Sequence, residues 1–230
     1  MIGFNIKDIR AFIFDYGGTL DTGGCHWGKM LWHVYKQADV PVSEERFREA
    51  YIYAERMLGS RPLIHKDFDF HQTLDIKIRL EMEFLDCISY HDTVLDLLYS
   101  QVRQHTSHSI LVLQQLKKQY PMVLVSNFYG NMTTVLQEFG FDGIFCQLIE
   151  SAVVGVRKPD PKIFELGVKA LGFDTKDIVV VGDSMENDII PAKNIGCRTI
   201  WLRGEQWKDT PIDETIPDGI VDDLNELIQN

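Results

Sequence analysis

The chain has 230 residues, 45% of them hydrophobic and 25% charged, which places it among globular proteins with room for one large domain or a core plus a smaller second unit. Its formal net charge of -11, from 23 basic and 34 acidic residues, speaks against nucleic acid or an anionic membrane surface as a partner. No apolar run approaches the roughly 20 residues needed to span a bilayer, and the opening MIGFNIKDIRAFIFD carries Lys7, Asp8, Arg10 and Asp15 among its apolar residues, unlike a signal peptide.

In chain order, the first strand candidate is Ile9–Asp15 (IRAFIFD), short, apolar and ended by glycines. From about Thr22 to Thr106 no strand of that quality follows. WGKMLWHVYKQA, SEERFREAYIYAERML, FHQTLDIKIRLEMEFL and HDTVLDLLYSQVRQH are amphipathic helical patterns instead. Ser43 offers an N-cap to the second of these, with Arg46 rather than Glu at the third helical position, so only half a capping box is present. A helix over Ser109–Gln119 then leads to a strand over Met122–Asn127, a helix over Gly130–Gly140 and a weaker strand over Ile144–Ser151. Asp160–Gly172 has proline near its first turn and glycine at its end, which predicts a further helix. The β-branched run Ile178–Ser184, the helix Met185–Gly196, the strand Arg198–Gly204 and a short strand at Gly219–Leu224 complete the series.

Continuous apolar strands alternating with helices predict an α/β, Rossmann-like core around a parallel sheet buried on both faces. The helical stretch predicts an inserted cap. We therefore divide the chain into a core of residues 1–21 and 107–230 and an α-helical cap of residues 22–106, about 80 residues long and sufficient for a small domain. Cys25, Cys87, Cys146 and Cys197 are widely spaced, with no CxxC, which predicts reduced thiols in a cytoplasmic protein rather than a zinc site.

Ligands of open α/β sheets bind at the carboxyl ends of the strands. The first strand brings Asp15 there, with Gly17, Gly18 and Thr19 in the turn. MVLVSN brings Ser126 and Asn127. The loop GVRKPDP brings Arg157 and Lys158, and IVVVGDS brings Asp183, with Ser184, Asn187 and Asp188 just beyond. Any one of these is an ordinary cap or turn residue. Together they set three carboxylates and a lysine on one sheet edge. Acids so gathered repel one another unless a cation neutralises them. Oxygen ligands favour Mg²⁺, and a free oxygen of Asp15 is chemically able to attack phosphorus.

The order DYGGTL, VSN, GVRKPDPKIF and VGDSMENDI, spanning Asp15 to Asp188, resembles the four motifs of the haloacid dehalogenase superfamily, and the insertion after the first motif resembles its C1 cap subclass. The resemblance implies Asp15 as nucleophile and Ser126 as the hydrogen-bond donor to the transferring phosphoryl group. It implies Lys158 as partner of both, and Asp183 and Asp188 as supports of Mg²⁺, together with Asp15 and the backbone carbonyl of Gly17. Thr19 is expected to stabilise the motif turn, and Thr19, Gly18 and Asn127 to lie at the substrate. The substrate implied is a small phosphorylated metabolite.

The phosphatase branch of that family carries D-x-D-x-T, whose second acid protonates the leaving alcohol and then activates water. Here the motif is Asp15-Tyr16-Gly17-Gly18-Thr19, and glycine has no proton to give. Asp21 and His26 are the nearby candidates for a substitute. Gly23 and Gly24 are candidates for a cap hinge. Trp27, Lys29, Arg56, Arg61 and Lys66 are cap residues within reach of a substrate in principle. Other chemistries of the superfamily stay open. A dehalogenase has an aromatic residue in place of the second acid and needs no metal, a pattern against which the acids of GDSMEND argue. A phosphonoacetaldehyde hydrolase has a small residue there and a Schiff-base lysine in the cap, for which Lys29 is a weak candidate. A phosphate-ligand-binding protein without turnover is the third alternative.

Overall fold

The computed structural model describes residues 2–208 and 211–229. Strand β1 (Ala11–Phe14) is fully buried and pairs in parallel with β2 (Met122–Ser126) on one side and β4 (Ile178–Gly182) on the other. Strands β3 (Gln147–Glu150), β5 (Arg198–Leu202) and β6 (Gly219–Val221) complete a six-stranded, all-parallel sheet of order β3-β2-β1-β4-β5-β6. All six expected strands are present, each a residue or more shorter than the apolar run that announced it. The residues that follow the strands, such as Asp15 and Asp183, leave the ladder to form loops.

Alternate residues of the sheet feed two different cores. Phe12, Phe14, Leu124, Val179 and Val181 point into the layer that contains helix α4 (His91–Leu116) and helix α5 (Met132–Phe139). Ala11, Ile13, Val123, Val125 and Val180 point the other way, against helix α7 (Lys162–Leu171) and helix α8 (Ile190–Asn194). This two-sided burial explains why the strands are apolar throughout rather than alternating. A one-turn helix, α6 (Ser151–Val154), follows β3. Where one helix was expected over Met185–Gly196, a π-helical turn (Met185–Ile189) precedes α8. Pro191, which has no N–H to continue an α-helical ladder, falls in the first turn of α8, where that loss costs nothing.

Between β1 and β2 lie helices α1 (Trp27–Gln37), α2 (Glu44–Ser60), α3 (Phe70–Phe84) and α4. Ser43 caps α2 as expected, its hydroxyl accepting the Arg46 N–H at 3.3 Å. Asp69 and Gln72 form a complete capping box on α3, a D-x-x-Q signal that sequence reasoning passed over. The cap core packs Leu31, Val34 and Tyr35 of α1 against Phe47 of α2, Ile78 and Met82 of α3 and Leu98 of α4, with the Tyr35 and Phe47 rings edge to face at 4.8 Å. The boundary drawn between residues 106 and 107 falls inside α4, which runs unbroken for 26 residues. The helix expected to begin at Ser109 is its second half. Among the described residues, no helix is long and apolar enough to cross a membrane.

A carboxylate is buried in that cap core. Glu81 is fully buried; Oε2 accepts the Tyr35 hydroxyl at 3.0 Å, and Oε1 has no hydrogen-bond partner among the described residues. Burial pushes its pKa up to about 7, against the opposing pull of Lys77 and the Tyr35 hydroxyl. The folded state therefore holds a proton that the unfolded chain has released. Stability from this group is complete below its ordinary carboxylate pKa and is lost as pH rises through about 7. Relative to Glu81→Gln, the natural protein is expected to lose on the order of 2 kcal/mol between pH 4.5 and 8 in urea titrations. Parallel pH profiles of the two proteins would show the group to be silent.

Candidate active site

β1 ends at Phe14, and the next residue, Asp15, is held at the sheet edge by its backbone N–H, which donates to the Val181 carbonyl of β4 at 3.0 Å. The chain then turns on hydrogen bonds from Thr19 N and Leu20 N to the Tyr16 carbonyl, 3.2 and 2.8 Å. Gly18 adopts φ 99°, and a Cβ built there would stand 2.4 Å from the Asp183 carboxylate. A side chain would thus be strained in backbone and blocked in space, and the two acid-bearing loops close up only over a glycine. Thr19 is fully buried. Its hydroxyl accepts the Asp183 N–H at 3.1 Å and lies 3.0 Å from Asp15 Oδ2 and 3.2 Å from Asp183 Oδ1, to either of which it can donate.

Neighbouring strands supply the rest. β2 delivers Ser126 and Asn127. The Asn127 amide grips the backbone of Lys158, accepting its N–H at 2.9 Å and donating to its carbonyl at 3.1 Å. Lys158 so placed donates from Nζ to Asp15 Oδ1 and, at 2.7 Å, to Asp188 Oδ1. Asp188 rises from the π-helical turn, and its Oδ2 accepts the Ser184 N–H at 3.0 Å.

Asp15, Asp183 and Asp188 are all buried, and each offers a carboxylate oxygen within 4.8 Å of the others. Against three acids stands one ammonium. Burial raises the Asp15 pKa above the ordinary carboxylate range; Lys158 opposes this and Asp188 adds to it. Burial, followed by the charges of Asp15 and Asp188, raises Asp183 well above it. Burial lowers the Lys158 pKa, but the two carboxylates more than offset it and hold the ammonium charged with its pKa raised. The cluster is short of positive charge, and its donor set is oxygen only. A small hard dication fits that deficit, and among the described residues this is the only group of three acidic, histidine or cysteine side chains so arranged.

Over this edge, between core and cap, lies a cavity of about 330 Å³. Asp15, Gly17, Ser126, Asn127, Lys158, Asp183 and Asp188 all line it. Gly18 and Thr19, expected at the substrate, do not; they sit behind Asp15 and set its position. Asp21 is also behind the wall, fully buried, accepting the Gly18 N–H at 2.8 Å and the Trp27 indole N–H at 3.0 Å, with burial pushing its pKa well up. His26 reaches the cavity but is committed as the N-cap of α1, where Nδ1 accepts the Gly28 N–H at 3.0 Å. Burial, helped by the nearby lysines and arginine, lowers its pKa to about 4, so the ring is neutral at neutral pH.

Of the five cap residues singled out from sequence, Trp27 alone lines the cavity. Arg56, Arg61 and Lys66 are exposed, and Lys29 is buried beside Glu44 at 3.5 Å and Glu205 at 3.9 Å. The cap wall is built instead from Tyr51 and Glu55 of α2 and Phe70 and Lys77 of α3, with Trp207 from the loop after β5. A signal was present: Lys77 interrupts the apolar stripe Leu74, Ile78, Met82, and a charge in such a stripe faces a pocket or a partner.

The profile of haloacid dehalogenase-like hydrolases matches residues 9–196. The chain belongs to that family of hydrolases. It is 25% identical over 175 residues to a glyceraldehyde 3-phosphate phosphatase of Pyrococcus furiosus, covering 74% of this chain and 70% of that one. It is likewise 25% identical over 231 residues to a phosphoglycolate phosphatase of Vibrio parahaemolyticus, covering 97% and 96%. A dehalogenase crystallised as an intermediate complex shares the fold with a TM-score of 0.64 at 19% identity, over 96% of both chains.

The buried Thr19 hydroxyl bridges the loop after β1 directly to the Asp183 backbone, so Thr19→Val, which keeps the shape and removes the bond, is expected to cost about 1–3 kcal/mol in chemical denaturation. A loss under about 0.5 kcal/mol, the range of ordinary surface changes, would show the bridge to be dispensable.

Proposed function

We propose that the chain is a Mg²⁺-dependent phosphohydrolase that acts on a small phosphorylated metabolite through an aspartyl-phosphate on Asp15. The observation that carries the reading is the charge deficit on the cavity floor: three buried carboxylates, one lysine and an oxygen-only donor set. A phosphoryl group brings negative charge, so it docks only where positive charge exceeds negative. Asp15, Asp183, Asp188 and the Gly17 carbonyl are the groups that would hold Mg²⁺, which supplies the missing charge and polarises phosphoryl oxygens. The names of the phosphatase relatives agree with this class of substrate.

In the forward step an oxygen of Asp15 bonds to phosphorus as the bond from phosphorus to the ester oxygen breaks, and the leaving oxygen takes up a proton. Water then attacks the same phosphorus, the bond to Asp15 breaks, and phosphate and the carboxylate are regenerated. Lys158 offsets charge on Asp15 and on the transferring group. Ser126, buried at the tip of β2 on the cavity wall, donates to a phosphoryl oxygen.

Both steps need a proton relay, and Gly17 stands where the family's phosphatases have an acid. Neither nearby candidate replaces it. Asp21 is sealed behind the wall, and His26 holds the end of a helix with its proton-accepting nitrogen. The space for an acid remains: a Cβ on Gly17 would meet Trp27 Nε1 at 3.5 Å and nothing closer. Turnover is therefore slow for poor leaving groups and faster for activated esters, whose alkoxides need little protonation. The phosphonatase alternative loses its candidate lysine, since Lys29 lies outside the cavity lining.

The test is phosphate release from p-nitrophenyl phosphate with Mg²⁺. Asp15→Asn is expected to abolish release. Gly17→Asp is expected to raise it at least about tenfold, toward the ~10²–10⁴ that acid–base catalysis supplies. Silence from the natural protein and both variants would overturn the reading in favour of carbon–halogen or carbon–phosphorus chemistry.

A further inference from the structure

The cavity wall opposite Asp15 differs from its floor. Three lysines line the cavity, and each is already paired: Lys158 to Asp15 and Asp188, Lys208 to Glu186 at 2.9 Å, and Lys77 to Glu55. Lys77 and Glu55 form a unit. The ammonium also lies 4.3 Å from the Tyr51 ring centroid, and the Tyr129 hydroxyl donates to Glu55 at 3.3 Å. Burial pushes Glu55 up, and Lys77 with the Tyr129 hydroxyl more than offsets it, so the carboxylate stays charged and the pair is neutral as a whole. His26 adds no charge at neutral pH. Arg157 is exposed and outside the lining.

The remaining surface is aromatic. Trp27, Tyr51, Phe70, Phe128, Tyr129 and Trp207 all face the cavity. Phe70 and Phe128 lie nearly parallel, 15° apart with centroids at 6.5 Å. The wall is held in place. Trp207 sits on Gly28, where a Cβ would come within 2.2 Å of its ring; His26 stacks on it at 5.2 Å, and Arg48 lies 4.1 Å from its centroid while donating to its carbonyl at 3.0 Å. The Tyr51 hydroxyl on this wall has no hydrogen-bond partner among the described residues.

We infer that the site selects phosphate monoesters whose leaving group is an uncharged, ring-bearing alcohol and disfavours short carboxylated ones. The inference rests on the phosphohydrolase reading above. A carboxylate on the leaving group would be desolvated among acids, with every lining cation already neutralised, and that burial is costly. A neutral ring buries apolar surface against apolar surface and stacks on the aromatic wall. Phosphoglycolate, the substrate in the name of one relative, has a carboxylated leaving group and is on the disfavoured side.

Binding tests this without turnover, so the missing acid at Gly17 does not interfere. Phenethylphosphonate matches the shape of benzyl phosphate, and 3-phosphonopropionate that of phosphoglycolate. In calorimetry with saturating Mg²⁺, the first is expected to bind at least about tenfold more tightly, a difference of about 1.4 kcal/mol. Glu55→Gln, which leaves Lys77 without its counter-charge, is expected to shrink that ratio by tightening 3-phosphonopropionate. An unchanged ratio would overturn the charge argument. Equal or tighter binding of 3-phosphonopropionate to the natural protein would overturn the inference and leave the phosphohydrolase reading intact. No binding of either, with or without Mg²⁺, would bring down both. The comparison on the natural protein decides even where the variant fails to fold.

Discussion

The shared ammonium of Lys158 is the interaction on which the site turns. It is buried, and it answers two carboxylates that would otherwise repel each other across the sheet edge. Its position is not its own doing. Asn127 holds its backbone from β2, and the two acids come from the ends of β1 and from beyond β4. The strand order β2-β1-β4 makes these neighbours, so residues more than 140 positions apart meet within hydrogen-bond reach. The close approach in turn demands glycine at 18 and a small hydroxyl at 19. A larger residue at either would push the Asp15 loop away from Asp183.

One lysine for three acids leaves the floor negative, and that sets the division of labour between the two parts of the molecule. The core presents the buried acids and Lys158. Facing them is a mostly aromatic wall shared by cap residues Trp27, Tyr51 and Phe70 and core-loop residues Phe128, Tyr129 and Trp207, in which Lys77 and Glu55 cancel each other's charge. Charged chemistry is thereby confined to one side of a small cavity and shape recognition to the other. Under the proposed function that contrast would orient a substrate, its phosphoryl end to the floor and its organic end to the wall.

The core was largely legible in the sequence. Buried parallel strands are apolar on both faces, so runs such as Ala11–Phe14 and Ile178–Gly182 stand out, and the polar residues that end them mark the edge where chemistry sits. The cap resisted for a physical reason. An amphipathic helix advertises which face is buried but not whether that face meets a core or a cavity. Arg56 and Lys66, singled out from sequence, lie exposed, while the cavity lysine is Lys77, marked only by the charge it sets in an otherwise apolar stripe. Trp207 lay beyond reach altogether, because its place depends on a loop from the far side of the sheet settling onto Gly28. Gly18 and Thr19 were visible as part of the motif, while their role as supports rather than ligands emerged from the distances.

Helix α4 carries a mechanical consequence. Its first half belongs to the cap and its second half to the core, with no break between them. Near the middle it is pinned to the core twice, by the Ser109 hydroxyl donating to the Leu20 carbonyl at 2.7 Å and by His108 meeting Asp223 at 3.0 Å. The cap is thus joined to the core by two unlike connections: a glycine pair at 23–24, both at positive φ and packed against His105 and Arg203, and an unbroken helix. A body mounted in this way does not float above its base. Its placement is referred to the pinned point of α4 at residues 108–109, and the parts most distant from that point are the ones the pins constrain least.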